Sequence, residues 1–108
     1  MCVINFDELN RPVEILFRAN DFNSIFYDEV NIDFVKHMLN PILFGYDISK
    51  YYISDKMISE DDKDVCYISI ICDDYSKYDI KKFVKDISTK YKIDKVLFKV
   101  DDKVYTYK

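Results

Sequence analysis

Two stretches of the chain repeat apolar residues at three- and four-residue spacing, the period of an amphipathic helix. In the first, Ile32, Val35, Met38, Leu39 and Ile42 recur behind a capping Asn31, and Pro41 is expected to end the helix at Asn40. In the second, Ile80, Phe83, Val84, Ile87 and Tyr91 form the stripe, while Lys81, Lys82, Lys85, Asp86 and Lys90 fill mostly outer positions. Ser76 followed by Asp79 resembles a capping box in its acidic form.

The remaining apolar runs are short and strand-like. Residues 2–6 and Val13–Arg18 read as an N-terminal hairpin about the turn at 7–12, and residues 24–27 as a further short strand. Residues 42–48 hold the lone glycine, Gly45, in a turn setting. Residues 50–59 and 65–72 flank the charged loop at 60–64. The second of these runs is almost continuously apolar, which places it inside a sheet. Val96–Val100 and residues 103–107 form a C-terminal hairpin about Asp101-Asp102.

The order is therefore ββ(β)αββαββ. It predicts one α+β domain over residues 1–108, with a mostly antiparallel sheet of about five to seven strands and two helices on one face. Residues 65–72, the second helix and Val96–Val100 read as a βαβ unit with parallel strands. The ends of those strands, Asp73-Asp74 and Asp101-Asp102, then lie at one edge of the sheet, and the 60–64 loop lies at the opposite edge.

Composition narrows the function classes. The chain has 108 residues, a net charge of −4 and a single glycine. One glycine excludes phosphate-cradling loops and dinucleotide fingerprints, which need several. The acidic balance argues against direct binding of duplex DNA. No run has transmembrane length, and no membrane association is expected. Phe, Tyr, Met, Ile, Asn and Lys make up 55 of the residues, and Gly, Ala, Arg and Pro only 6. That bias points to AT-rich coding DNA and weakens functional readings of the lysines and tyrosines. The odd set Cys2, Cys66 and Cys72 suggests a reducing, cytoplasmic setting (a host's cytoplasm if the source is viral).

The acidic excess is carried by aspartate, 16 Asp against 4 Glu, much of it in pairs. The first candidate partner-binding group is Asp73, Asp74, Asp101 and Asp102. The second is the loop carrying Glu60, Asp61, Asp62 and Asp64, whose spacing departs from a calcium loop at its sixth and twelfth positions. Aspartate is also a common turn residue, so turn chemistry accounts for each pair locally. Tyr51, Tyr52, Tyr105 and Tyr107 are candidate aromatic contacts, since tyrosine joins apolar area to a polar tip. His37, the sole histidine, has no Cys or His at zinc-ligand spacing. No catalytic residue, metal or cofactor is assigned.

These readings lead to a non-enzymatic binding protein that occupies a basic or nucleic-acid-binding protein partner. A phage- or virus-type inhibitor of a host defence or nucleic-acid-processing factor fits that description. Two alternatives stand beside it: a small Mg-dependent phosphoesterase using the clustered aspartates, and a homo-oligomeric subunit that dimerises through its C-terminal edge strand.

Overall fold

The computed structural model describes residues 2–3, 12–18, 32–91, 93 and 95–106. Their elements are β1 (Cys2–Val3), β2 (Val13–Arg18), α1 (Ile32–Phe44), β3 (Ile48–Glu60), β4 (Lys63–Tyr75), α2 (Lys77–Tyr91), β5 (Val96–Val100) and β6 (Lys103–Thr106). This is the expected α+β order. The strand expected at 24–27 and the cap Asn31 fall outside the described residues, as does Tyr107.

The six strands form one sheet in the order β1-β6-β5-β2-β4-β3. β2 is antiparallel to both β4 and β5. Those two strands therefore run parallel to each other with β2 between them, and α2 carries the chain across. Apolar rows explain the alignment. Ile15 lies between Ile70 and Phe98, and Phe17 between Ile68 and Val96. Both helices cover this face: Val35, Leu39 and Leu43 of α1 and Ile80, Phe83, Val84 and Ile87 of α2 join the same buried cluster. Phe83 meets Phe17 edge-to-face with ring centroids 6.4 Å apart.

The structure corrects three expectations. The N-terminal run does not form a hairpin with β2, because both sides of β2 are occupied; β1 instead pairs in parallel with β6 at Tyr105 and Thr106. For the same reason the C-terminal strand is not an edge, and the sheet ends at β1 and β3. Pro41 does not end α1, which runs on to Phe44. The interior proline forfeits about 3 kcal/mol. Burying Leu43 contributes about 1.5–3 kcal/mol, and half-buried Ile42 adds to it. The Gly45 and Tyr46 amides then close the helix on the Ile42 and Leu43 carbonyls at 3.0 and 3.1 Å.

Backbone chemistry places the aspartate pairs. Asp61-Asp62 and Asp101-Asp102 are the two-residue links of the β3–β4 and β5–β6 hairpins. Their φ angles are 49° and 63° in the first and 49° and 67° in the second. Positive φ at both central residues is the mirror-image turn that matches strand twist, a place usually given to Asn-Gly or Asp-Gly. Here aspartate fills it, one of the few residues besides glycine that visit this region. Asp73-Asp74 lies at a bulge instead. Tyr51 pairs with Cys72 but Lys50 with Asp74, so Asp73 is an extra residue on β4. Ile48 then pairs with Tyr75, which makes Ser49 an extra residue on β3. The two bulges offset each other and aim both Ile48 and Tyr75 into the core, each 3% exposed.

Candidate functional site

The face of the sheet away from α1 and α2 carries the site. Register aligns one residue from each of five strands across it. Tyr52 pairs with Ile71, Ile71 with Glu14, Glu14 with Lys99, and Lys99 with Val104. Three members of this row are exposed apolar side chains: Tyr52 at 66%, Ile71 at 37% and Val104 at 39%. Between them stands Glu14, which accepts from the Ser69 hydroxyl at 2.6 Å and from the Lys56 ammonium at 3.1 Å. These bonds compensate a carboxylate only 12% exposed.

Carboxylates fringe the row on one side. Ile71, Glu14 and Lys99 join Pro12, Val13, Asp101 and Asp102 around a groove of about 280 Å³. Asp73 is exposed on β4 at the same end of the sheet, two strands and so about 10 Å from the β5 end. Asp74 is half-buried; it accepts from the Ser49 hydroxyl at 3.0 Å and lies opposite Lys50. Asp73, Asp101 and Asp102 form no ion pair with a described residue. The sheet thus gathers the first acidic group at one end, flanking a row of mixed apolar and charged side chains that no local sequence signal marks.

The second acidic group divides. Asp61, Asp62 and Asp64 are exposed around the β3–β4 turn, at the far end of the sheet. Glu60 turns inward instead. It accepts the Tyr67 hydroxyl proton and pairs with Arg18 at 2.9 Å and Lys95 at 3.3 Å. The hydrogen bond from Tyr67, then Lys95 and Arg18, hold its carboxyl below the ordinary range despite burial. Burial, reinforced by Glu60, pushes the Tyr67 phenol up.

The tyrosines separate as well. Tyr51 packs on the helix side, its hydroxyl donating to Asn40 at 2.9 Å. Tyr52 belongs to the open row, with the Lys36 ammonium 5.9 Å from its ring centroid. Tyr105 is partly buried against the core, toward the other edge. Tyr46 was not singled out from sequence; burial and its 2.7 Å bond to Asp86 push its phenol up to about 12. His37 is exposed on α1. Among the described residues no group of three or more His, Cys, Asp or Glu side chains is placed to share a metal ion.

No family model matches the chain, and neither the curated proteins nor the solved structures compared with it give a match. No helix among the described residues is long and apolar enough to cross a membrane.

Proposed function

We propose that the chain is a binding protein that acts by occupying a basic protein partner, with the exposed row on the sheet face away from α1 and α2 as its contact surface. The row Tyr52–Ile71–Glu14–Lys99–Val104, edged by Asp73, Asp101 and Asp102, carries this reading. Three exposed apolar side chains in a row beside exposed carboxylates suit a surface that is itself cationic and partly apolar. The carboxylates raise the association rate and fix orientation, and Tyr52, Ile71 and Val104 supply apolar contact. A partner that normally receives phosphates fits this charge pattern, so the natural target class is a nucleic-acid-binding factor and the action is steric blockade, as by a phage- or virus-type inhibitor. The setting is cytoplasmic, supported by the free thiols of Cys66 and Cys72.

The test is capture from host extract by the immobilised chain, at rising salt, beside the variant Ile71→Ser/Asp73→Asn/Asp101→Asn. A partner held by the native chain, weakened by salt and lost by the variant, is the expected result. Identical captures by both chains would overturn the reading.

A further inference from the structure

β3 is the long edge of the sheet. It has 13 residues and, among the described strands, pairs with β4 alone. Among the described residues no main-chain bond reaches its outward side beyond the Ile48 amide. Such an edge templates pairing with another strand, and proteins usually blunt it with bulges or charges. Here the bulges lie at residues 48–51, so 51–60 is regular. Of the charges along it, Lys56 and Glu60 are held by partners within the chain, and Asp55 and Lys50 are exposed.

We propose that β3 pairs with β3 of a second copy of this chain, antiparallel about a two-fold axis at Ser54 and perpendicular to the sheet. Ser54 is the midpoint of the strand, and this register pairs residues 50–58 of both copies, clear of the extra Ser49. A perpendicular axis keeps both helix layers on one side, and opposed residues must then share a face. In this register Tyr52 opposes Lys56 of the second copy, Tyr51 opposes Met57, and Lys50 opposes Ile58. No like charges face each other. Of the nearby face-preserving registers, centring on Tyr52 also avoids like charges but pairs only residues 50–54 before the extra Ser49 interrupts β3, and the others fail this test. Centring on Ile53 sets Lys50 against Lys56, centring on Asp55 sets Asp55 against itself, and centring on Lys56 sets Lys56 against itself. Like charges directly opposed destabilise a strand pair.

The side chains agree with the choice. Met57 and Tyr52 are the exposed hydrophobic residues of β3, at 60% and 66%. The two-fold covers Met57 with Tyr51 and sets Tyr52 beside the Lys56 side chain, whose ammonium holds Glu14 on the same face. Tyr52 already has a lysine neighbour in Lys36. This pairing uses the β3 edge and shares only Tyr52 with the proposed contact row; self-association of the pure chain tests it apart from the acidic end and any partner there.

The experiment measures the mass of the full chain by sedimentation equilibrium over rising concentration, with two substitutions at exposed Tyr52. The native chain is expected to reach twice 13.0 kDa. Tyr52→Lys, which sets two lysines against Lys56 of the opposite copy, is expected to weaken the dimer about tenfold. Tyr52→Glu, which sets a carboxylate there, is expected to hold or tighten it. Circular dichroism confirms that both fold. Independently, Ser54→Cys is expected to form a disulfide between copies under mild oxidation, since directly opposed Cα atoms lie about 4.5–5.5 Å apart. Asp55→Cys is expected not to cross-link. A chain monomeric to about 1 mM overturns the proposal. So does a dimer indifferent to charge at position 52, one that cross-links through position 55 but not 54, or a β3 edge found occupied by a different protein.

Discussion

Arg18 and Glu60, 42 residues apart in sequence, meet at 2.9 Å where β2 ends beside the β3–β4 turn. The pair ties the far end of the hairpin to the central strand. Tyr67 joins both: its hydroxyl receives the Arg18 guanidinium at 3.3 Å and donates to Glu60. Three long side chains are thus fixed on the sheet face opposite α1 and α2.

This cluster makes stability depend on pH. The folded-state pKa of Glu60 is depressed. Its contribution is therefore present above the unfolded carboxylate's pKa and is lost as pH falls through the folded value. Glu60→Gln is expected to cost about 1 kcal/mol at neutral pH, since the pairs are partly exposed. The difference from the native chain should shrink progressively below about pH 4. Urea unfolding at pH 7 and pH 3 measures both.

The hairpin turns offer a gain in stability. Asp62 and Asp102 hold φ of 63° and 67°, conformations that glycine adopts without strain. Asp62→Gly and Asp102→Gly are each expected to stabilise the fold by about 0.5–1 kcal/mol. Under the proposed function Asp102→Gly also removes a contact carboxylate, whereas Asp62→Gly does not. Thermal unfolding beside partner capture separates the two consequences.

The thiols should differ in reactivity. Burial pushes Cys72 up to about 12, and burial reinforced by Asp55 raises half-buried Cys66 as well. The thiolate is the reactive form. Cys72 is expected to resist alkylation until the chain unfolds, and Cys66 to react slowly in the folded state. Mass spectrometry over time in iodoacetamide, with and without urea, follows each site.

The α1 proline gives a further check. Pro41 is exposed within the helix and lacks the amide that would bond to the His37 carbonyl. Pro41→Ala is expected to stabilise by about 1 kcal/mol, less than the full interior-proline penalty because the unfolded chain gains freedom. Chemical denaturation of the variant measures it.

Much of the fold was legible because its signals are local. The stripes Val35–Leu39 and Ile80–Phe83–Val84–Ile87, and the continuous apolar run of β4, each announce their element. Pairing was harder to read. A two-residue strand such as β1 has no period, and nothing in Cys2-Val3 names β6 as its neighbour. The acidic end followed from treating β4–α2–β5 as a crossover. The row of five residues did not, because Glu14, Tyr52, Ile71, Lys99 and Val104 become neighbours only through register. Glu60 misled for the same reason: among acidic neighbours it looks like loop charge, and only Arg18, Tyr67 and Lys95 draw it inward.

The matched bulges have a consequence for how the chain can change length. Ser49 and Asp73 are surplus to the alternation that buries Ile48 and Tyr75. Excising both would leave Lys50 opposite Asp74 and Tyr51 opposite Cys72, in an ordinary ladder with the same core. The hairpin therefore contains a splice point, where residues can enter or leave in pairs without rephasing the strands. Asp73 stands at that point, and its side chain is free to vary while the scaffold beneath it stays in step.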